Sequence, residues 1–358
     1  MYRNTYVEID LDKLKFNTRK FQENSKKEII GIVKANGYCS VDYMEAKALE
    51  ECGIDFFAVS SLDEALRLRK HGVQGHILIL GYVPYDAMDL IKENDISIVT
   101  VSKEFVQNTD LEGVKIHLKL NTGMNRIGVN VSEAKEVLEL LKEKKAVIEG
   151  VMSHFSSADT DEEYSKKQYA RFRECVLSLD YDFKYIHISA TDGAILVDDD
   201  ICNAQRIGIG LLGYSSYDIG LKPCVSLYSE VVMCKQLTEG ETVSYGRHYT
   251  SDGKGYILTI PLGYADGFYR SNTGKEVYVE NEYGTIVGSV CMDPLMILTQ
   301  PPHPAGTRVE LFGEHVDIVK RAQDLHTITY ELLTSLSDRI TRIYISGGKI
   351  IDRIDLRF

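Results

Sequence analysis

The sequence has little positive charge and lacks the cysteine patterns of several protein classes. Its 53 acidic residues outnumber 41 lysines and arginines, giving a formal net charge of −12, whereas nucleic-acid binding requires a basic surface. Its seven cysteines are scattered without a Cys-x-x-Cys pair, which indicates reduced thiols rather than a disulfide framework or a zinc site. We therefore expect a cytoplasmic protein with no nucleic-acid partner and no bound metal.

Long apolar runs are missing as well. No run approaches the roughly 20 residues that a membrane span needs, and residues 1–5 have no apolar signal-peptide core. We predict no membrane segment in this chain, while the cytoplasmic domain of a longer membrane protein stays an open alternative. A Gly-x-Gly-x-x-Gly motif is absent after the first predicted strand, which disfavours a dinucleotide-binding fold.

The first two-thirds of the sequence contains a regular alternation of predicted strands and helices. Short apolar runs predict strands at 29–34, 56–60, 76–80, 97–101, 115–120, 148–153, 185–189 and 205–211. Apolar residues three or four positions apart predict helices at 11–22, 43–52, 62–70, 86–93, 132–144 and 165–179. Eight strands alternating with helices over about 210 residues predict a (β/α)8 TIM barrel rather than an open doubly wound sheet.

The pattern changes near Ser226, from alternation to closely spaced strands and turns. Strands are predicted at 226–237, 255–260, 275–279, 285–290, 295–299 and 308–311, followed by a helix at 328–337 and a strand pair around 343–352. We therefore predict a barrel domain over residues 10–225. A mainly-β domain would span residues 226–358 and include the opening strand in residues 1–9.

The first barrel strand ends on Lys34, and polar and glycine residues follow at once. In this barrel the active site lies at the C-terminal ends of the strands, where a desolvated lysine can lose its proton and act as a nucleophile. Lys34 is therefore a candidate for a Schiff base with an aldehyde cofactor, or else a strand-end lysine whose amine reaches solvent. The eighth strand is predicted to begin near Arg206 and to contain Gly208. Three further candidates follow strands five to seven: Arg126, His154 and Thr191.

Seven motifs occur in order along the chain. In the barrel they occupy residues 33–38, 119–126, 153–159 and 206–210, and in the β domain residues 243–246, 263–267 and 290–293. In these motifs the chain resembles the alanine racemases, which are fold-type III pyridoxal-phosphate enzymes, almost from end to end. The resemblance implies a homodimer whose active sites are shared between subunits.

The resemblance also implies a two-base mechanism, because racemisation removes a proton from one face of the α-carbon and returns it to the other. Lys34 would hold the cofactor and then serve the D face, and the partner subunit's Tyr245 would serve the L face. A phenol is a poor base at neutral pH, so nearby cations must favour the phenolate. His154 and Arg206 are the candidates for those cations.

The binding roles that the resemblance implies fall into two sets. The cofactor-binding residues would be Lys34, Tyr38, His154, Thr191, Arg206, Gly208 and Ile209. The substrate-binding residues would be Arg126, Met292 of the partner subunit, Tyr264 and Asp338. Arg206 would donate a hydrogen bond to the pyridine nitrogen without protonating it, which weakens the electron sink and limits side reactions. Lys119 corresponds to a lysine that some members carry as a carbamate beside Arg126, and an unmodified lysine is equally open.

Residues 337–339 depart from the family pattern, because Asp338 stands where the family has a tyrosine. Aspartate is smaller and accepts hydrogen bonds, so it would enlarge the pocket and pair with a substrate hydroxyl. This resembles the serine racemases of vancomycin-resistance clusters. We expect racemisation of serine and alanine, supplying D-amino acid for peptidoglycan precursors. The alternatives are a housekeeping alanine racemase, a pyridoxal-phosphate decarboxylase and a non-catalytic cofactor-binding protein.

Overall fold

The computed structural model describes residues 3–357 and divides the chain into two compact units. One unit spans residues 13–222, and the other combines the chain up to Asp12 with the chain from Pro223 onward. The first is a nearly closed parallel barrel of eight strands. The second is mostly β-sheet and begins with β1 (Tyr6–Asp10). The fold class predicted from the sequence is confirmed.

The barrel unit alternates strands and helices. Its strands are β2 (Glu28–Ile32), β3 (Phe56–Val59), β4 (His76–Ile79), β5 (Ile96–Val99), β6 (Lys115–Asn121), β7 (Val129–Asn130), β8 (Val147–Met152), β9 (Tyr185–His187) and β10 (Ala204–Ile207). The helices before residue 223 are α1 (Leu11–Asn24), α2 (Lys34–Tyr38), α3 (Asp42–Glu50), α4 (Leu62–Lys70), α5 (Met88–Glu93), α6 (Lys103–Asn108), α7 (Ala134–Glu143), α8 (Glu162–Ser178) and α9 (Thr191–Leu196).

The barrel sheet runs in the order β10-β2-β3-β4-β5-β6-β8-β9, and the short β7 pairs with β6. Between β9 and β10 the sheet is joined by two backbone hydrogen bonds, from Asn203 N–H to the Ile186 oxygen (3.1 Å) and from Arg206 N–H to the Ser189 oxygen (3.0 Å). The strands are apolar along most of their length because helices cover one face and the barrel interior covers the other. This closure brings the C-terminal ends of β2, β6 and β10 to one end of the barrel.

Two predicted strand ends are wrong by a few residues. Strand β10 ends at Ile207, so Gly208 lies just beyond the strand and not inside it, and Arg206 is the third strand residue rather than the first. Strand β2 ends at Ile32, so Lys34 begins the turn that follows. The six-residue helices α6 and α9 were not predicted.

The second unit is built on one large sheet. Its further elements are β11 (Val225–Glu230), β12 (Met233–Gln236), β13 (Thr242–Val243), β14 (Tyr249–Thr250), β15 (Tyr256–Ile260), β16 (Glu276–Val279), β17 (Glu282–Val287), β18 (Leu295–Thr299), β19 (Arg308–Phe312), α10 (Ile318–Asp324), α11 (Thr329–Thr334), β20 (Thr341–Ser346) and β21 (Lys349–Ile354). The sheet order is β12-β15-β18-β17-β16-β19-β11-β1-β20-β21. Strand β1 lies antiparallel to β11 and parallel to β20, with Val7 and Ile9 fully buried.

The structure corrects two further predictions in this unit. The single strand predicted over 226–237 is two strands, because β11 pairs with β19 and β1 whereas β12 pairs with β15. Helix α10 was missed, although Asp317 caps it by accepting a hydrogen bond from the Val319 N–H (2.8 Å). The seven cysteines carry free thiols. Within residues 3–357 no helix is long and apolar enough to cross a membrane.

The ring of Phe56 fills the barrel interior beside His76 (ring centroids 4.3 Å apart) and Tyr185 (4.9 Å) and is almost completely buried. Phe56→Ala leaves a cavity, so we expect the free energy of unfolding to fall by about 3–5 kcal/mol. Chemical denaturation followed by circular dichroism measures this change. Leu177→Ala, at a position 58% exposed on α8, is the control and should change stability by less than about 0.5 kcal/mol. Equal effects of the two substitutions would contradict the packing assignment.

Candidate active site

Lys34 begins a left-handed turn directly after β2. Residues 35–38 have φ between 53° and 60°, a region that costs roughly 1–2 kcal/mol for each residue with a Cβ atom. Side chains from neighbouring helices hold the turn: Glu64 accepts a hydrogen bond from the Ala35 N–H (2.7 Å), and Arg67 donates one to the Asn36 side-chain oxygen (3.1 Å). The first bond holds the backbone of Ala35, and the second holds the side chain of Asn36.

Lys34 lies among cations at the C-terminal ends of the strands. Burial lowers the pKa of its amine, and the positive charges of Arg126 and Arg206 lower it further against the opposing charge of Glu64. The buried amine of Lys119, on β6, has its pKa lowered to about 7 by burial and then by Arg206, Arg126 and Lys34. An excess of positive charge in a partly desolvated site suits an anionic ligand.

Arg206, on β10, is buried and donates hydrogen bonds through both terminal nitrogens of its guanidinium. Its Nη1 donates to His187 Nδ1 (2.7 Å), and its Nη2 donates to His154 Nδ1 (2.8 Å) and to the Ser153 (3.0 Å) and Ile188 (2.7 Å) carbonyl oxygens. Burial lowers the pKa of Arg206 to about 10, which leaves it charged at neutral pH. Because arginine only donates, both histidine Nδ1 atoms must be acceptors.

Burial and the charge of Arg206 hold the pKa of both His154 and His187 well below its usual value. Both imidazoles are therefore neutral, and His154 does not supply the positive charge that the sequence analysis expected beside the candidate base Tyr245. The sequence motif identified the position of His154 but carried no information on its charge. Among the two expected cations, Arg206 alone supplies positive charge.

The hydrogen-bond chain continues deeper into the barrel. With Nδ1 of His187 accepting, its Nε2–H donates to His117 Nδ1 (2.9 Å), and burial lowers the pKa of His117 to about 3. The proton of neutral His117 therefore sits on Nε2, a buried atom without a hydrogen-bond partner among residues 3–357. His117, His76 and Glu149 bring potential metal-ligand atoms within 4.8 Å of one another. In this tautomer His117 Nε2 carries a proton and so offers no lone pair to a metal ion.

A second group of polar atoms lies after β10. The Thr191 hydroxyl accepts hydrogen bonds from the Gly208 N–H (3.4 Å) and the Gly210 N–H (3.3 Å). A Cβ atom on Gly208 would lie 2.4 Å from the Tyr38 hydroxyl, so any larger residue there must displace the Tyr38 side chain. Ile209 is buried between the two glycines. Hydroxyls converging on the backbone of a late barrel loop form a cradle that fits a phosphate group.

Arg126 is exposed at the end of the loop after β6. The Asn121 side-chain oxygen organises this loop by accepting hydrogen bonds from the Gly123 N–H (3.2 Å) and the Asn125 N–H (3.0 Å). Arg126 therefore stands on an ordered loop, within electrostatic range of Lys34 and Lys119.

The other four predicted site residues lie in the second unit, where backbone hydrogen bonds connect their segments. The N–H groups of Tyr264 and Ala265 donate to the Cys291 and Met292 oxygens (3.0 Å each). The Ser337 N–H donates to the Asp266 oxygen (3.0 Å), which joins the segment of Asp338 to that of Tyr264.

Tyr245 belongs to the same surface. Ser289 Oγ donates to the Tyr245 carbonyl oxygen (2.9 Å), and Ser244 Oγ donates to the Ser289 oxygen (2.8 Å). The side chains of Tyr245 and Met292 are 77% and 54% exposed. The predicted residues thus form two groups, one at the C-terminal end of the barrel and one on the surface of the second unit.

Sequence reasoning did not identify His187 or His117. Each is the one imidazole in a short apolar strand, β9 or β6. The available signal was a polar residue at a strand position that faces the barrel interior. Positions that face the interior and positions that face the helices cannot be told apart in the sequence when both are buried.

Comparisons with known proteins agree across both units. The family model "Alanine racemase, N-terminal domain" matches residues 9–216, and "Alanine racemase, C-terminal domain" matches residues 224–344. A Staphylococcus epidermidis alanine racemase is 38% identical, covering 96% of this chain and 95% of that protein. The structure of a Bacillus anthracis alanine racemase with bound L-Ala-P is 34% identical with a TM-score of 0.93, covering 99% of this chain and 98% of that one. A Leuconostoc mesenteroides histidine racemase is 28% identical with a TM-score of 0.89, covering 96% and 99%.

The close approach at Gly208 gives a direct test of the phosphate cradle. Gly208→Ala pushes the Tyr38 hydroxyl out of place, so we expect at least about tenfold weaker binding of pyridoxal 5'-phosphate, the loss of roughly one hydrogen bond to a charged group. Titration of cofactor-free protein by absorbance measures it. Gly220→Ala is the control for the loss of a glycine as such, because a Cβ there meets nothing within 4 Å. Equal affinities in the two variants would remove Gly208 from the cradle.

Proposed function

The chain belongs to the alanine racemase family of pyridoxal-phosphate-dependent amino-acid racemases, and we propose that it interconverts the L- and D-forms of serine and alanine. Its cofactor, when bound, withdraws electrons and makes the α-proton of an amino acid acidic. The observation that carries the proposal is the environment of Lys34. Its half-buried amine has a pKa lowered by burial and by two arginines, so it gives up its proton more readily than an exposed lysine does.

The proposed first base is Lys34, which holds the cofactor and moves the proton on the D face. The proposed second base is the partner subunit's Tyr245 on the L face. Positive charge from Arg206 would favour its phenolate. The neutral His154 contributes by accepting a hydrogen bond from Arg206 and so orienting its guanidinium.

The remaining barrel residues would hold anionic groups. Tyr38, Thr191 and the backbone at Gly208 and Ile209 would bind the cofactor phosphate, and Arg206 would donate to the pyridine nitrogen. Their hydrogen bonds and the space at Gly208 support this fit.

Substrate carboxylate would be bound by Arg126 and by the backbone amide of the partner subunit's Met292, with Tyr264 lining the entrance. Lys119 is proposed to carry a carbamate that orients Arg126. Carbamylation needs a neutral amine, and its pKa of about 7 supplies one near neutral pH. The resulting anion would offset the cluster of cations around it.

A homodimer with shared sites is the proposed assembly. The exposure of Tyr245 and Met292 supports it, because large apolar side chains grouped on a surface mark contact sites.

Removal of one base should slow removal of the α-proton from only one enantiomer of the substrate. We expect Tyr245→Phe to slow exchange of the L-alanine α-proton with solvent deuterium by about 10²–10⁴-fold, while exchange from D-alanine continues. Nuclear magnetic resonance in deuterated buffer measures both rates. Tyr283→Phe, an exposed tyrosine on β17 outside the site segments, is the control. Equal loss of exchange from both enantiomers would contradict the two-base assignment.

Mixing two inactive variants tests whether the bases come from different subunits. If they do, co-folding Lys34→Ala with Tyr245→Phe gives heterodimers with one intact site, and random assortment restores roughly a quarter of native activity. If both bases came from one chain, the mixture would stay inactive.

Asp338 is the residue proposed to set substrate preference. The neighbouring Arg339 is engaged with Asp293 (2.6 Å) and Asp266 (3.5 Å). Asp338 itself is exposed and makes no ion pair or hydrogen bond within residues 3–357. Its carboxylate is therefore available to accept a hydrogen bond from a substrate hydroxyl.

The histidine racemase of similar fold supports the view that pocket residues, and not the scaffold, select the side chain. With serine as substrate, the proposed role is D-serine supply for modified peptidoglycan precursors, as in vancomycin-resistance clusters. The competing candidate is a housekeeping alanine racemase that supplies D-alanine. Both candidates place the enzyme in the cytoplasm.

Asp338→Tyr separates the two candidates. The bulkier ring removes the acceptor and narrows the pocket, so we expect the ratio of kcat/KM for L-serine to that for L-alanine to fall by about tenfold or more. Asp338→Asn keeps the size and one acceptor oxygen and should retain most of the preference. An unchanged ratio in the tyrosine variant would favour the alanine-specific enzyme.

A further inference from the structure

Glu45 lies against the turn that carries Lys34 and Tyr38. It is on α3 and has no exposed surface. A Cβ atom on Gly37 would lie 2.6 Å from Glu45 Oε2 and 2.6 Å from Ser40 Oγ. The carboxyl group therefore contacts the backbone of the left-handed turn directly, and the mechanism described above does not use it.

The geometry around Ser40 assigns a proton to this carboxyl group. Ser40 Oγ is 2.7 Å from the Gly37 carbonyl oxygen and 2.7 Å from Glu45 Oε2. Each such short oxygen–oxygen contact requires a hydrogen between the atoms. The hydroxyl has one hydrogen and the carbonyl has none, so the second hydrogen comes from Glu45. In this arrangement Glu45 donates to Ser40, and Ser40 donates to Gly37.

The surrounding charges agree with a neutral acid. The charged group that acts on Glu45 is Asp42, which disfavours a second negative charge, and Arg67 is paired with Asp42 (2.6 Å) and so does not neutralise Glu45. Glu45 Oε1 is buried without a hydrogen-bond partner among the described residues, and an ionised carboxylate would leave that charge unpaired. Burial raises the pKa of Glu45 to about 8.

We propose that Glu45 is a positioning residue whose neutral carboxyl group locks the turn at residues 35–38, and that its ionisation at mildly alkaline pH loosens the turn. The effect on chemistry rests on the roles proposed for Lys34 and Tyr38. Glu45 itself touches neither substrate nor cofactor. It acts through Ser40 and the Gly37 backbone.

The direction of the pH dependence follows from proton linkage. Unfolded Glu45 loses its proton near its ordinary pKa of 4.5, while folded Glu45 keeps it to about pH 8. Between these values the folded state binds one more proton, so the stability contribution of the neutral acid falls as pH rises and is lost above pH 8. Ionisation then weakens the hold on Lys34 and Tyr38.

Glu45→Gln tests the proposal, because the amide still donates to Ser40 and cannot ionise. We measure unfolding of the holoenzyme and affinity for pyridoxal 5'-phosphate from pH 5 to pH 9. Relative to the glutamine variant, the unfolding constant of the native protein should rise with pH, by up to about tenfold per pH unit. Cofactor affinity of the native protein should fall above pH 8 relative to that variant. Glu139→Gln, at an exposed position on α7, should follow the native protein.

Infrared spectra give a second readout that does not depend on the stability of the variant. The native protein should lose a protonated-carboxyl band between pH 6 and pH 9, and Glu45→Gln should lack this band. Parallel pH profiles of unfolding in the native and glutamine proteins, or absence of the band, would overturn the neutral acid. If the stability of the native and glutamine proteins differs with pH but their cofactor affinities follow the same pH profile, the positioning role is overturned. The Lys34 and Tyr245 variants test the proposed function separately.

Discussion

The buried charge of Arg206 is the constraint on which the barrel site depends. A guanidinium cannot give up its proton in a protein, so the barrel must provide acceptors for it. Two backbone carbonyls and two neutral imidazoles do so. That requirement fixes the tautomer of His187 and, through it, the proton of His117. Burial lowers the pKa of Lys34 and Lys119, and the same charge lowers it further. One buried cation thus adds to the effect of burial on the groups around it without contacting all of them.

The parts of the fold that sequence reasoning predicted are those whose signal is local. Apolar runs and amphipathic helices repeat often enough to identify the barrel, because each strand is covered on both faces. The predictions that were wrong concern features that depend on tertiary contacts. The break between β11 and β12 depends on which neighbours the strands pair with. Motifs located Lys34, Arg206 and Gly208 but not the charge of His154, which depends on burial and on Arg206.

Glu45 illustrates the same limit more sharply. A glutamate within a short, charged helix reads as an exposed residue, yet here it is completely buried. Its proton is assigned by counting donors and acceptors around Ser40, and those atoms meet only because residues 35–38 turn left-handed. Sequence therefore singled out Lys34 as a candidate nucleophile, and the structure shows which contacts support the turn that follows it. This order is expected wherever a strained turn carries a functional side chain, since the supporting contacts come from elements distant in sequence.

The left-handed turn also explains why several polar side chains form hydrogen bonds with the residues that follow Lys34. Each non-glycine residue in it costs roughly 1–2 kcal/mol, and the hydrogen bonds that Glu64 accepts and that Arg67 and Ser40 donate offset that cost. In return the turn holds Lys34 just after β2 and places the Tyr38 hydroxyl beside Gly208. A regular helix would need no such support, but it would separate these two side chains differently. The turn is thus stable only as long as its supports keep their protonation states, which couples the active-site backbone to pH.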